Sequence, residues 1–220
     1  MAEFPRHLLD GYRTFTTQRL PTEQTRYQDL AERGQSPAVM VIGCCDSRVS
    51  PEVIFDAGPG ELFVVRNVAN LVPVYQPDSG THGVSAALEY AVNVLKVKHI
   101  VVLGHAQCGG IRAFIDKIEP LSPGDFIGKW MAMFIKPGEV VEQRDHETMQ
   151  DFIVRIEKAA VFRSLENLMT FPFVRERVER GEMDLHGAYF GVAEGSLFVL
   201  DQVAKEFRSV RESEPMANGE

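Results

Sequence analysis

Three short apolar runs constrain the fold of this chain more than any other feature. They are Ala38–Cys44 (AVMVIGC), Gly60–Asn67 (GELFVVRN) and His99–His105 (HIVVLGH). A run of this length without alternating polar residues is typical of a strand that is buried on both faces. Segments with helical signals follow all three runs. This alternation predicts an α/β fold, in which a parallel β-sheet core is flanked by helices.

The helical signals lie between and before these runs. Ser50, Pro51 and Glu52 have the order expected at a helix start, with a capping hydroxyl, a proline and an acid. Residues 79–97 have apolar side chains at helical spacing and predict one long helix. Another helix should open at Cys108. The segment from residue 8 to residue 33 predicts two N-terminal helices, broken at Pro21 and with Thr22 capping the second.

The C-terminal half predicts a helical and β-hairpin extension of this core. Residues 118–180 read as further helices, interrupted near residues 136–138. Residues 184–200 resemble two strands around a turn at Glu194 and Gly195. We expect residues 1–210 to form a single domain and residues 211–220 to be a disordered tail.

Charge and composition narrow the classes of partner. The formal net charge is −8 and the pI is about 5.3, whereas nucleic acids and anionic membranes select for a basic face. The longest apolar run is far too short to span a membrane. The N-terminus lacks the basic and apolar regions of a signal peptide, so we expect a cytoplasmic protein with no nucleic-acid or membrane partner. Three cysteines make a poor disulfide framework and point to metal binding, catalysis or burial.

Reactive side chains collect at the ends of the first and third predicted strands. Cys44 ends one strand, and His105 ends the other, with Cys108 three residues later. Ligands in parallel sheets bind beyond the carboxyl ends of the strands, so these side chains converge if the strands are neighbours. Two sulfurs and one imidazole nitrogen suit zinc, and a set of three protein ligands leaves a fourth position open for catalysis.

Alternation along the first strand distinguishes the two adjacent cysteines. Cys44, Asp46 and Arg48 should share one face, whereas Cys45 should point away as a small buried residue. Arg48 keeps its proton, so it should hold Asp46 ionised. An ionised Asp46 can orient a zinc-bound hydroxide, or it can itself occupy the open position. Because two thiolates offset the charge of the metal, we expect an activity that is highest at mildly alkaline pH.

The motifs CCDSR and GHAQCGG, together with PGELFVVRNVAN and AALEYAV, resemble those of the β-class carbonic anhydrases. The resemblance is strong over residues 35–115. It implies one Zn²⁺ per chain on the residues matching Cys44, His105 and Cys108, with an Asp–Arg dyad at Asp46 and Arg48. The implied reaction is the reversible hydration of carbon dioxide to bicarbonate and a proton, by attack of zinc-bound hydroxide.

The resemblance also implies a substrate pocket and an assembly. The matching pocket residues are Gln35, Phe63, Val68 and Tyr90, and the backbone N–H of Gly109 could bind the developing anion. Mostly apolar walls with one amide suit carbon dioxide. Family members form homodimers or homotetramers, with active sites at the subunit interface.

A second, inhibitory bicarbonate site of some bacterial members should be absent. Arg66 matches its arginine, but Val41 stands in place of its tryptophan and Phe190 in place of its tyrosine. We therefore expect Arg66 to be structural and the fourth zinc position to hold water.

Three other functions stay open. The same fold could hydrolyse another small molecule, such as carbon disulfide. The zinc site could belong to a non-catalytic scaffold, although such sites more often close with a fourth Cys or His. A redox dithiol at Cys44 and Cys45 is disfavoured, because adjacent cysteines form strained disulfides.

Overall fold

The computed structural model describes residues 3–78, 80–136 and 139–210, and its core is a six-stranded sheet. The strand order is β2-β1-β3-β4-β5-β6, with the first four strands parallel and the last two antiparallel. The strands are β1 (Val39–Cys44), β2 (Leu62–Asn67), β3 (His99–His105), β4 (Asp184–Gly191), β5 (Ser196–Asp201) and β6 (Glu206–Ser209).

Eight α-helices surround or precede this sheet within the described residues. They are α1 (Arg6–Thr14), α2 (Leu20–Arg33), α3 (Pro51–Ile54), α4 (Gly83–Glu89), α5 (Gly109–Ile115), α6 (Phe126–Ala132), α7 (Met149–Leu168) and α8 (Pro172–Glu179). Two π-helical segments, at Phe15–Arg19 and Tyr90–Val94, continue α1 and α4, and a short 3-10 turn at Val68–Asn70 follows β2. The α/β fold with flanking helices, N-terminal helices and C-terminal strands is confirmed.

The first and third predicted strands correspond to two largely buried strands of the sheet, β1 and β3. β3 has the predicted bounds, and β1 is central, with all its residues buried except Val39. The face that carries Met40 and Ile42 packs against α4, α7 and α8 to form the main core. The opposite face carries Val41 and Leu103, and Ile54 of α3 packs against it.

The N-terminal prediction was wrong in its details. Proline in the first turn of a helix loses no hydrogen bond, so Pro21 lies within the first turn of α2 instead of breaking the chain. The helix passes from α1 into α2 through the π-helical segment. Thr22 lies inside α2 and donates its hydroxyl to the carbonyl oxygen of Arg19 at 2.8 Å, so it is not a cap.

Other boundaries also differ from the sequence prediction. The helix predicted from residue 79 begins at Gly83, and the short strand β6 was missed. The turn at Glu194 and Gly195 lies where it was predicted, with Gly195 at a φ of 60°. The predicted tail at residues 211–220 and the predicted interruption at residues 137–138 lie outside the described residues.

Helices α1 and α2, which lie wholly in the described part of the chain, have no buried residue. Arg26 near the middle of α2 donates hydrogen bonds to the carbonyl oxygen of Pro59 at 2.7 Å and to Glu61 at 2.9 Å. Several apolar side chains of the first helix and the residues before it are exposed: Phe4, Leu8, Leu9 and Tyr12. The N-terminal arm (residues 4–33) therefore presents apolar surface that its own chain does not cover.

Candidate metal centre

The sheet topology brings the two halves of the predicted site together. β1 lies between β2 and β3. The chain therefore passes from β1 to β2 on one flank of β1 and then crosses to β3 on its other flank. Such a switch point leaves a crevice at the carboxyl ends of the two strands. Cys44 is the last residue of β1 and His105 the last residue of β3, and Cys108 is the N-cap of α5.

Cys44, His105 and Cys108 are all buried, and one donor atom from each lies within 4.8 Å of the other two. The two Sγ atoms are 4.0 Å apart. The left-handed backbone of Gln107, with a φ of 57°, turns the chain back after His105 so that Cys108 faces the same space. Thiolate and imidazole donors in one compact group match the ligand preferences of zinc.

His105 provides a direct test of whether this group fits a metal. Its Nδ1 lies 2.9 Å from the carbonyl oxygen of Ala106, which makes Nδ1 the protonated donor. Its buried Nε2 has no hydrogen-bond partner among the described residues. A buried polar atom without a partner is costly, whereas an imidazole nitrogen held in this tautomer is ready to bind a metal. The three side chains therefore fit zinc.

The thiol pair shows how the site favours negative charge. The hydrogen bond from Cys108 lowers the pKa of Cys44, and the same contact with Cys44 raises the pKa of Cys108. One thiolate is thus stabilised at the expense of the other. Metal ligation requires the deprotonated form of both, so binding of a cation would release protons.

Asp46 and Arg48 form a bidentate ion pair beside the three candidate ligands. The Arg48 guanidinium donates from Nε to Oδ1 at 2.9 Å and from Nη2 to Oδ2 at 2.7 Å, and the Arg48 backbone N–H also donates to Oδ1 at 3.0 Å. The hydrogen bond from the Arg48 side chain holds the pKa of Asp46 well below its usual range. The carboxylate is therefore ionised at neutral pH, as the sequence predicts.

The burial predicted for Cys44 and Cys45 is found at Cys44 only. Cys44 is buried among the ligands, but Cys45 is exposed and not the buried residue that we expected. β1 ends at Cys44, so Cys45 already belongs to the loop, although its N–H still donates to the carbonyl oxygen of Asn67 at 2.9 Å. Cys45 is therefore in contact with solvent and is not part of the group of candidate ligands.

The predicted pocket residues do not all lie near the ligands within one chain. Val68 packs in the same apolar cluster as Cys44 and Cys108. Phe63, in contrast, pairs with Met40, four residues before Cys44 and about 13 Å away along the strand. Tyr90 stacks on Phe63, with ring centroids 6.0 Å apart, and Gln35 precedes β1 altogether.

The three residues of the predicted absent inhibitory site have other contacts. Arg66 donates from Nε to the carbonyl oxygen of Cys44 at 2.8 Å and from Nη2 to that of Asp46 at 2.6 Å. Val41 is buried on the second face of the sheet, where Phe190 packs against the same cluster. These contacts fit a structural role for Arg66, which fixes the backbone of the first ligand loop.

The family model described as carbonic anhydrase matches residues 39–197 of the chain. This chain belongs to the carbonic anhydrase family. The match spans all three candidate ligands and the Asp46–Arg48 pair.

Relatives with the same description occur in plants and bacteria. Beta carbonic anhydrase 5, chloroplastic, of Arabidopsis thaliana is 39% identical over 170 residues, which are 74% of this chain and 54% of the plant protein. The chain thus spans about half the length of that relative. Carbonic anhydrase of Pseudomonas aeruginosa is 35% identical over 207 residues, 94% of this chain and 92% of the bacterial protein.

Solved structures of β-carbonic anhydrases share the fold. CcaA superimposes with a TM-score of 0.82 at 27% identity, covering 93% of this chain and 98% of that one. A Coccomyxa enzyme solved with acetazolamide gives 0.77 at 28% identity, covering 90% of this chain and 87% of that one. A protein from Sordaria macrospora, described as tetrameric, gives 0.75 at 28% identity, covering 89% and 95%.

Sequence reasoning missed Glu157 of α7, which binds the backbone of the candidate ligand Cys108. Its side chain is only 2% exposed, accepts a hydrogen bond from the Cys108 N–H at 2.9 Å and accepts another from the Tyr189 hydroxyl at 2.6 Å. Burial raises the pKa of Glu157. The available signal was a lone acid on the apolar stripe of a predicted helix, between Ile156 and Ala160.

Proposed function

We propose that this protein catalyses the reversible hydration of carbon dioxide to bicarbonate and a proton, with one zinc ion per chain held by Cys44, His105 and Cys108. The observation that carries the proposal is the unpaired, buried Nε2 of His105 beside two thiols and an ionised carboxylate. Zinc, when bound, supplies a nucleophile at near-neutral pH because it lowers the pKa of coordinated water by many units.

Asp46 orients the attacking group in this proposal. Both carboxylate oxygens are fixed by Arg48, so the side chain cannot rotate freely. An ionised carboxylate accepts hydrogen bonds only, and it can therefore hold a proton of the attacking oxygen away from the substrate. Arg48 acts through Asp46, and it is itself held by the carbonyl oxygen of Gln107 at 3.0 Å.

The substrate is small and apolar, so its pocket needs mostly hydrophobic walls. Val68 is the predicted pocket residue that packs with the ligands within the same chain. Gly109, the first residue of α5, has its backbone N–H at the helix start, where a developing negative charge would be stabilised.

We further propose that the pocket is completed by a second copy of the chain. Gln35, Phe63 and Tyr90 lie away from the ligands of their own chain, and Gln35 and Tyr90 are exposed. If these residues reach the site of a partner, a two-fold assembly gives both sites the same contribution, because such an interface is self-complementary. The exposed apolar side chains of the N-terminal arm give the assembly a surface to bury, and a homodimer or homotetramer satisfies both observations.

Cytoplasmic location stays a prediction, since the relatives include a chloroplastic protein. In residues 3–78, 80–136 and 139–210, none of the helices has the length and apolar character required to cross a bilayer.

The test of the reaction is stopped-flow hydration of carbon dioxide at about pH 8.5, in the mildly alkaline range where the two thiolate ligands predict the highest activity. Cys44→Ala should lose activity together with the zinc ion held at the Cys44–His105–Cys108 centre, whereas Cys45→Ala, with the neighbouring exposed cysteine changed, should keep both. Zinc content is measured on the same samples by elemental analysis. Full zinc without hydration in the unmodified protein would refute the proposed reaction, and an active Cys44→Ala would refute the ligand assignment.

A further inference from the structure

A second group of metal-ligating side chains lies at the other end of the sheet. His99 is the first residue of β3 and Asp184 is the first residue of β4, and the two are paired in the parallel register. His186 pairs with Val101 two residues further on, so strand alternation places its side chain on the same face. One donor atom from each of the three residues lies within 4.8 Å of the other two.

The distances within this group suit a tetrahedral metal. His99 Nδ1 lies 3.2 Å from His186 Nε2 and 3.6 Å from Asp184 Oδ2. An ion bound at 2.0–2.1 Å in tetrahedral geometry separates its ligand atoms by about 3.3–3.4 Å. The group needs only small side-chain movements to accept such an ion.

The donor types and exposure define the class of ion. Two imidazoles and one carboxylate suit zinc, nickel or copper, whereas calcium and magnesium prefer oxygen ligands alone. The side chains of His99 and Asp184 are 40% and 69% exposed, so an ion can enter from solvent and keep water on its remaining position. Burial, and then the proximity of His99, lowers the pKa of His186, which favours the neutral ring that a metal requires.

We propose that His99, Asp184 and His186 form an accessory site for a divalent transition metal, distinct from the catalytic centre. His99 and His105 lie at opposite ends of β3, about 20 Å apart, so an ion at one site does not share ligands with the other. The competing explanation is a plain hydrogen bond between the two rings, in which one N–H points at the other nitrogen. That arrangement uses the lone pair that the metal needs, so the two explanations differ in how the rings respond to added metal.

The experiment is a zinc titration of the assembled, zinc-loaded protein, read by equilibrium dialysis with elemental analysis. The unmodified chain should bind one further zinc. His99→Gln and His186→Gln should each weaken that second event at least about tenfold, about 1.4 kcal/mol of binding free energy. His146→Gln, which changes an exposed histidine outside the group, is the matched control and should bind as the unmodified chain does.

Two further measurements separate this site from the catalytic one. Cys44→Ala should still bind zinc at the accessory site, even if it loses carbon dioxide hydration. In NMR spectra, zinc should shift the ring signals of His99 and His186 and leave those of His146 in place. The proposal would be overturned if the unmodified chain bound no second zinc. It would also be overturned if His99→Gln and His186→Gln bound the second zinc as tightly as the unmodified chain does.

Discussion

A pocket shared between two copies can be tested by complementation of two damaged chains. The first chain carries Cys44→Ala and lacks a zinc ligand, and the second carries Gln35→Ala with Tyr90→Ala. Gln35 and Tyr90 are both exposed in the single chain, so replacing them should cost the folded subunit little stability. The two chains are co-expressed with different tags, and each is also prepared alone.

The expected activity follows from how each site is built. If a site takes its ligands from one chain and Gln35 and Tyr90 from the other, each mixed dimer has one intact site and one doubly damaged site. Random pairing of equal amounts makes about half of the dimers mixed, so about a quarter of all sites are intact. Hydration by the mixture should therefore reach about a quarter of the activity of the unmodified protein.

A third chain that carries all three substitutions provides the control. Co-expressed with the unmodified chain, it should also leave about a quarter of the sites intact, since only the unmodified homodimers work. If the pocket were built within one chain, the first mixture would give only the average of its two parents. The control would then give about half of the full activity, and that pair of results would refute a shared pocket.

Two predictions concern the interior of a single chain and are checked by urea unfolding at one fixed protein concentration, because assembly contributes to stability. Tyr189→Phe should lower the free energy of unfolding by about 1–3 kcal/mol, since it leaves the buried Glu157 Oε2 without its donor. Tyr75→Phe, at an exposed position outside the N-terminal arm, is the control and should have little effect. Equal values for the two variants would show that the Tyr189–Glu157 hydrogen bond is not stabilising. Gly104→Ala should lower the free energy of unfolding by about 1–3 kcal/mol, because its Cβ would lie 2.6 Å from Val161 Cγ2. Adding Val161→Ala to this variant should restore part of the lost stability. Gly83→Ala, with open space around the added Cβ, is the control and should not destabilise the protein.

The central strands could be predicted because their environment is uniform. β1 and β3 are covered on both faces, so nearly every position is apolar and the pattern needs no partner to be recognised. β6 is a four-residue edge strand in which exposed and half-buried residues alternate, and four residues are too few to show that period. The π-helical segments likewise leave no trace in apolar spacing.

The cluster of candidate ligands could be predicted because Cys44 and His105 end two predicted strands. Cys44 and His105 were predicted to be the final residues of two strands, and they lie together because these strands are parallel neighbours in the sheet. The exposure of Cys45 could not be predicted in the same way. Alternation gives the direction of a side chain, but only the packing on that side decides whether the direction leads to core or to solvent.

The residues that position the ligands come from distant parts of the chain, and this limits what a local motif can reveal. Arg66 of β2 binds the backbone carbonyls of the first ligand loop, and Glu157 of α7 binds the backbone N–H of Cys108 in the second. Arg48 then connects the two loops through the carbonyl oxygen of Gln107. Each contact reaches a backbone group, and a backbone group has no residue type that a sequence pattern could match. Because these contacts restrict the backbone of both ligand loops, less of that backbone has to be ordered by the metal, which reduces the ordering cost of metal binding.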